Sequence, residues 1–461
     1  MPARSRARSR TRGLSKKAYT NLAVIAALLV VLAAGALKRY EEHARAAGAL
    51  TIAADFGVYA SMASNLPNAP FQQDPAQVAV FNADPYGFRP EVARGPFVPF
   101  FQNDLGLTFL VRASSALFGG GHTPLLTLAW LQMAVSCLDV LLMFWVGRKI
   151  GGDGPGLLCA FMYAGLSALV TLSATFPYYY AWMASFAVWN LAFAALVPDF
   201  LAGRRLWLPV VWGIFLGFAG MVRSSFIPLG FLAAAFMLLR WRRKAVPAAL
   251  VLMGCQALIM MPVFVRSYQH FGRVTPPRLV WHTAYVGFGW YENPYAIKWD
   301  DAAGYQFAEA KGLKPGGRDW LARYEGLLRD EVLRIRRETP WLWPYNTLRN
   351  FFSGLVVFDT PLYLRLKLGF LGISADLPRA HWGIALLLFS GLIYALFRLR
   401  GALDWWLLAA AMLQGMYFIA SVSLLCPPFL GYNAAWLPTF CVLSALTLYA
   451  VFHALFGRFV R

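Results

Sequence analysis

The sequence predicts an all-α integral membrane protein, a polytopic helical bundle of about ten spans with two large extracytoplasmic loops. Three observations lead there. Hydrophobic residues make up 59% of the 461 and charged residues only 14%, against about 25% charge in an ordinary soluble domain, and the mean hydropathy is +0.52. That leaves too little polar surface to cover a globule in water. Apolar runs long enough to cross roughly 30 Å of hydrocarbon recur along the chain. Basic residues gather at alternate ends of those runs.

The net charge of +20 would raise nucleic-acid binding in a soluble protein. Here its distribution points to a membrane instead. Arg4, Arg6, Arg8, Arg10, Arg12, Lys16 and Lys17 precede the first apolar run, and Arg148-Lys149, Arg204-Arg205, Arg240 to Lys244, and Arg398 with Arg400 sit at the ends of later ones. This is the positive-inside pattern. It places both termini in the cytoplasm and offers the N-terminal arm to anionic membrane lipids, with no nucleic acid as partner. The five cysteines (Cys137, Cys159, Cys255, Cys426, Cys441) mostly fall inside apolar runs and form no C-x-x-C pair, so they read as small buried residues.

Taken in order, residues 1–20 form a basic cytoplasmic tail. The run 21–37 is too long for a signal peptide, and Lys38-Arg39 stand where a small-residue cleavage site would be wanted, so it reads as a retained first span. A polar, Pro-rich first loop occupies 38–123; its semi-apolar segment 105–118, interrupted by Arg112, reads as interfacial. Spans at 125–147, 154–176, 178–201, 206–222, 226–239 and 246–265 complete an N-terminal transmembrane module, 21–265. The second loop, 266–380, holds an aromatic, Gly-rich stretch at 281–305 and a charged helical pattern at 319–338. Its apolar piece 351–371 is broken by Asp359, Pro361, Arg365 and Lys367, and reads as re-entrant or interfacial. Spans at 381–397, 403–424 and 434–456 form the C-terminal part, 381–461. There is no internal repeat of the kind secondary transporters often keep.

Several side chains could carry chemistry. Asp55, Tyr59 and Ala63 share one helix face at i, i+4 spacing. An acid at the membrane edge beside a phenol can serve as a general base or bind a cation; its bland alternative is a helix N-cap. Arg94, Arg223 and Arg266 fall at the outside ends of the membrane part, and the flanks of Arg223 are apolar. A guanidinium fork bonds two phosphate oxygens at once, so these three suit an anionic lipid headgroup, against the alternative of snorkelling. Tyr178-Tyr179-Tyr180 and Trp281, Trp290, Tyr291 and Trp299 read either as interfacial belts or as platforms for sugar rings. Asp300-Asp301 offers two carboxylates to a divalent cation, although adjacent loop carboxylates are ordinarily solvated. His270 and His282 are isolated, and no metal-ligand spacing or nucleophile–His–Asp motif is present, so no metal site and no definite cofactor are assigned.

Four stretches together resemble one family. Asp55-x-x-x-Tyr59-x-x-x-Ala63-x-x-Leu66 resembles the D-E-x-x-Y-x-x-x-A-x-x-L element of GT-C-fold glycosyltransferases, in particular bacterial relatives of protein mannosyltransferases and of the lipid A aminoarabinose transferase (glycosyltransferase families 39 and 83). Gly95-Pro96-Phe97 through Leu117-Phe118-Gly119 is similar to their P-P-L…L-F-G stretch. The stretch from Gly217 to Ser225, with Arg223, resembles G-L-x-x-L-x-R-P-S. The stretch from Pro262 to Gly272, with Arg266 and Tyr268, resembles P-W-x-x-R-N-Y-x-x-F-G.

The resemblance implies a multi-pass enzyme of the bacterial inner membrane. It would transfer a sugar from a polyprenyl-phosphate donor to a lipid, glycan or protein acceptor at the extracytoplasmic face. It assigns Asp55 as general base or acceptor-positioning residue, and Arg94, Arg223 and Arg266 as ligands of the donor phosphate. Tyr59, Glu91, Tyr268, Trp290 and Tyr291 complete the expected substrate-binding set. The sequence departs from the family at Phe56, where a second acid is usual, and at Ser267, where Asn is usual; Glu91 and Asp104 are the first-loop acids available in compensation. The competing expectation is a transporter or flippase of a lipid-linked or anionic substrate, for which Asp139 and Gln256 are the main mid-span polar residues.

Overall fold

The computed structural model describes residues 3–45, 105–118, 124–203, 207–271, 274, 279–313, 320–355, 380–425 and 433–456, of which residues 3–20, 105, 124, 202–203, 266–267, 269–271, 301, 320–321 and 380–389 by their backbone alone. Among the described residues the protein is helical and contains no strand.

The membrane part comprises α1 (Ala3–Arg45), α2 (Leu105–Phe118), α3 (Pro124–Gly151), α4 (Asp153–Gly165), α5 (Ser167–Thr175), α6 (Tyr179–Gly203), α7 (Trp207–Val222), α8 (Ile227–Trp241) and α9 (Val246–Phe271). The second loop contributes α10 (Val280–Gly287), α11 (Asp301–Ala310), α12 (Trp320–Glu338) and α13 (Leu342–Leu355). The bundle closes with α14 (Ala380–Leu399), α15 (Trp405–Ser423) and α16 (Leu437–Phe456).

All ten expected apolar runs are helical, but they are not ten equal crossings. Among the described residues six stretches are long and apolar enough to cross a membrane, and the bent pair α4–α5 makes a seventh. One of the six, Ser224–Val265, is two helices. It folds back at Arg242, which takes φ 51, and Gln256 Nε2 of α9 donates to Ile227 O of α8 at 2.8 Å. Those two residues lie almost equidistant from the turn, so α8 and α9 run antiparallel. The helix α7 has 16 residues, about 24 Å at 1.5 Å per residue. It stops short of a full crossing because the chain leaves it in an extended conformation at Arg223.

Gly213 and Gly217 let α7 lie close against α9. A Cβ at either would fall 2.3 and 2.9 Å from the backbone oxygens of Leu252 and Gln256, respectively. Ridges without side chains are the usual way for helices to approach in lipid, where packing rather than water expulsion drives association.

The two ends of the bundle differ in chemistry. Asp404 N donates to Ile150 O, Lys149 pairs with Asp199, and Arg240 lies over the Trp406 ring. These contacts bring the ends of α3, α6, α8 and the start of α15 together, and with them most of the basic clusters; this is the basic end. The opposite end carries Tyr178 to Tyr180, Arg223 and the second loop, and is the loop end.

The second loop has its own core. On α12, Tyr324, Leu328, Val332 and Ile335 form one buried stripe that packs on Ala284 to Phe288. Glu325, beside that stripe, accepts from the backbone N–H groups of Trp281 and His282 at 2.9 and 3.0 Å, and so caps the start of α10. Its carboxyl is pushed above the usual carboxylate range by burial, which outweighs those bonds. His282, isolated in sequence, meets Tyr324 Oη at 2.6 Å. Asp300 caps α11 by accepting from Ala302 N.

Candidate functional site at the loop end of the bundle

Arg223 occupies the corner between α7 and the 3-10 turn Ser224–Phe226, in an extended conformation (φ −148°, ψ 121°). The end of α7 is completed by Arg223 N donating to Ala219 O at 2.8 Å. The guanidinium carbon stands 4.4 Å from the centre of the Tyr179 ring, which orients it by cation–π attraction. Tyr178, Tyr179 and Tyr180 are therefore not a lipid-facing belt. All three are buried, packed on one another and on Phe176.

Two polar atoms near this corner, Trp182 Nε1 and Ser225 Oγ, are buried without a hydrogen-bond partner among the described residues. The backbone of Ser225 is anchored differently: Tyr417 Oη of α15 donates to Ser225 O at 2.7 Å. Unmet polar capacity is costly in a bundle core unless a ligand or water completes it.

The first loop rejoins the described structure at this corner. Gly106, near the start of α2, lies against the last turn of α7. A Cβ there would fall 2.6 Å from Val222 N and 2.8 Å from the Met221 carbonyl carbon. Only glycine lets the two backbones meet so closely. The α2 segment of the first loop is thus fastened to the residue preceding Arg223.

The second loop is fastened to the same end of α15. The last carbonyls of that helix have no intrahelical partners, and loop side chains supply them. Trp343 Nε1 donates to Leu424 O at 2.8 Å and Asn350 Nδ2 to Ser423 O at 3.3 Å. Tyr291 Oη in turn donates to Asn350 Oδ1 at 3.0 Å, and Arg349 stacks over the Tyr291 ring at 3.8 Å. Burial raises the Tyr291 phenol above its ordinary value, with Arg349 pulling the other way. Trp290 meets Trp299 edge to face at 5.9 Å.

Of the expected site residues, Arg223 is at the corner, and Trp290 and Tyr291 lie in the loop above α15. Tyr268 is exposed on α9. Arg266 lies on α9, described by its backbone alone. Asp55, Tyr59, Glu91 and Arg94 lie outside the described residues. Arg349 and Asn350 were not expected. The signal available for them was an Arg-Asn pair inside an otherwise aromatic helix, α13.

No protein-family model matches the sequence. No curated protein matches it either. Its fold does match solved structures of the oligosaccharyltransferase of Archaeoglobus fulgidus. The AglB structure in complex with an inhibitory peptide and a dolichol-phosphate superposes with a TM-score of 0.52 at 18% identity, covering 94% of this chain and 51% of that one. The structure tethered to an acceptor peptide gives 0.51 at 15% identity (94% and 50%), and the apo form 0.51 at 17% (93% and 51%). The chain has the GT-C fold. It spans about half the length of these oligosaccharyltransferases. The GT-C architecture accounts for the layout described above, a helical membrane bundle with its loops gathered at one end.

Proposed function

We propose that this protein is a membrane glycosyltransferase that moves a sugar from a polyprenyl-phosphate carrier to an acceptor at the extracytoplasmic face, and that the loop end holds its active site. The observation that carries this reading is the Arg223 corner. A guanidinium oriented by the Tyr179 ring, with two buried polar atoms nearby that lack partners among the described residues, stands at the end of the bundle where the first loop is fastened through Gly106 and the second loop on α15. In such a reaction phosphate departs from the anomeric carbon, and a fixed guanidinium stabilises the developing anion. The fold supports the same reading, since the similar AglB structure binds a dolichol-phosphate.

Asp55 is the proposed base. It abstracts the acceptor proton as the acceptor oxygen or nitrogen forms its bond to the anomeric carbon and the lipid phosphate leaves with the bonding pair. Arg94 and Arg266 are proposed to share the phosphate with Arg223; Tyr59, Glu91, Tyr268, Trp290 and Tyr291 are proposed to hold sugar and acceptor. The proposed setting is a bacterial inner membrane, with the basic end and both termini on the cytoplasmic side, an orientation that the positive-inside rule favours.

The test is transfer of label from radiolabelled polyprenyl-phosphate sugars into membrane extracts, by wild type and by Asp55→Asn. The expected loss for the variant is at least about a hundredfold, the ordinary contribution of a general base. Undiminished transfer by Asp55→Asn would remove Asp55 from this role. Absence of transfer by wild type from every donor tried would sink the transferase reading itself.

A further inference from the structure

The helix α13 is built inside out. Its buried face carries Asn346, Asn350 and Gly354 at helical spacing. On the opposite face, at i, i+4 and i+7, stand Trp341, immediately before the helix, then Tyr345 and Leu348, which are 80%, 58% and 57% exposed. The half-buried Phe352 extends the same row. A helix bathed in water turns its apolar stripe to the core and its polar residues outward. The preceding helix α12 does so, burying Tyr324, Leu328, Val332 and Ile335 and exposing Arg323, Arg329 and Arg336. The order is reversed in α13.

The contacts of the buried face set the depth of the helix. Asn350 Nδ2 donates to the carbonyl of Ser423, the last residue of α15. One turn on, a Cβ at Gly354 would stand 3.7 Å from Cγ2 of Ile419, which lies about 6 Å back along α15. Phe351 and Leu355 pack on Ile419, Trp436 and Phe440, and Trp436 Nε1 donates to Leu355 O at 3.3 Å. Ile419 and Phe440 belong to two stretches long and apolar enough to cross a membrane. Thus α13 descends beside α15 from its last carbonyls to the next turn of that span, and its outward row faces away from the bundle at that depth. The charge beside the row is basic. From Arg336 to Leu355 the only acid is Glu338, which pairs with Arg334 at 2.6 Å. Arg336 and Arg337 are exposed, as is Arg349, which stands over the Tyr291 and Tyr345 rings at 3.8 and 5.4 Å. A ring face orients a guanidinium without using its N–H donors.

We propose that α13 is a membrane-docking helix, with Trp341, Tyr345 and Leu348 set in the phospholipid leaflet at the loop end and Arg349 on headgroup phosphates. Continuity with two spans, an apolar outward row and a basic flank select this occupant. Trp and Tyr favour the headgroup level, and an interfacial helix sinks its apolar face by about 5–10 Å, the depth that the Ser423 and Ile419 contacts bracket. The helix supplies the aromatic belt that the buried Tyr178 to Tyr180 do not. Docking also holds Tyr291, bonded to Asn350 and stacked on Arg349, at headgroup height. The inference needs only the membrane bundle, so it stands or falls independently of the transferase reading.

Site-directed spin labelling of the full chain in nanodiscs of phosphatidylglycerol and phosphatidylcholine tests it. Trp341→Cys, Tyr345→Cys and Leu348→Cys are labelled one at a time, with Glu309→Cys on α11 as the reference; all four positions are exposed. Wild type treated identically gives the background of the native cysteines. Oxygen concentrates in hydrocarbon and a nickel chelate in water, so the relaxation each causes ranks depth. Oxygen is expected to act more strongly than the chelate at 345 and 348, and the order to reverse at 309. A stronger effect of the chelate at 345 and 348 would overturn the docking. Exclusion of both reagents there would overturn it too, and would give the row to a protein surface such as a second copy. Loss of oxygen access on adding polyprenyl phosphate would also overturn it, in favour of the carrier's tail. Arg349→Glu, which sets an acid against the headgroup phosphates, is expected to lower oxygen access at 348; unchanged access would remove the Arg349 contact.

Discussion

The break between α4 and α5 makes a sharp demand on one arginine. At Leu166 the backbone turns extended (ψ 114°), and its N–H still reaches Met162 O while its carbonyl already serves Val170. The break strands the carbonyls of Tyr163 and Ala164 inside the bundle, where no water can serve them, and leaves that of Gly165 at its surface. Arg39 of α1, 1% exposed, donates to Ala164 O at 3.1 Å and Tyr163 O at 3.4 Å, and its Nε to Ser136 Oγ at 3.0 Å; Lys38 covers Gly165 O at 2.8 Å from the surface. Arg39→Met keeps the length of the side chain and removes every donor. Hydrogen bonds between membrane helices average about 0.6 kcal/mol and reach about 1.7, so losing the three contacts to other helices comes to roughly 2 to 5 kcal/mol, apart from the fourth, to Gly35 O within α1 at 3.1 Å. The assay is SDS-driven unfolding of the purified protein in mixed micelles, followed by tryptophan fluorescence. Lys38→Met, which removes one exposed contact, is expected to cost under about 1 kcal/mol. If Arg39→Met unfolds within about 0.5 kcal/mol of wild type, or Lys38→Met costs more than it does, the account of the broken helix is wrong.

Three other outcomes follow from the same contacts. Arg223→Ala is expected to lower kcat/KM for the lipid donor by about ten- to a hundredfold, the effect of losing a charged hydrogen bond, and Arg223→Lys to recover only part of it, because Lys lacks the planar fork. Gly106→Ala would drive a Cβ into the backbone of Met221 and Val222, which cannot retract as a side chain would. It is expected to cost about 1–3 kcal/mol and to lower transfer activity although residue 106 touches no substrate. Glu325 keeps its proton to higher pH in the folded loop than in the unfolded chain. Its contribution to stability is therefore greatest in acid, falls as pH rises from about 4.5 through the folded value, and is level above it. Amide exchange of α10 in the intact protein, measured from about pH 4 to about pH 7, should show that slope in wild type and lose it in Glu325→Gln.

Composition and charge were enough to read the helical runs and the split between a basic end and a loop end, because both follow from the cost of polar atoms in hydrocarbon. Hydropathy could not show where a run stops being one helix. The stretch from Asp153 to Thr175 is apolar throughout, yet it bends by 51° at Leu166. Lys38 and Arg39 speak in the sequence only against a cleavage site, and the use of Arg39 as partner for a stranded carbonyl depends on a contact more than a hundred residues away in sequence. Tyr178 to Tyr180 had the composition of an interfacial belt; which side they face is settled by Arg223 and Phe176, not by their own pattern. Arg223 itself was legible, since an arginine between two apolar flanks has to be explained. Arg349 was not, because its role rests on stacking over Tyr291, a loop residue 58 positions earlier in the chain.

The polar residues inside the bundle also bear on the choice between enzyme and carrier. A transported solute must find mid-membrane groups that can change partners as it binds and leaves. Asp139 is fully buried and already accepts three hydrogen bonds, from Ser185 at 2.6 Å, Trp189 at 2.8 Å and Tyr163 at 3.0 Å. Gln256 is bonded to Ile227 O, and Asn190, Gln414 and Trp212 satisfy one another. Engaging a solute at any of these would first break bonds whose loss nothing else in the core can offset. They behave as fasteners between helices. Among the described residues, two of the buried polar atoms without partners, Trp182 Nε1 and Ser225 Oγ, belong to the loop end, where the Ser225 turn follows the Arg223 corner. A reaction at the membrane surface needs its polar groups there, whereas a passage through the bundle would need them halfway down. The distribution therefore favours surface catalysis over transport.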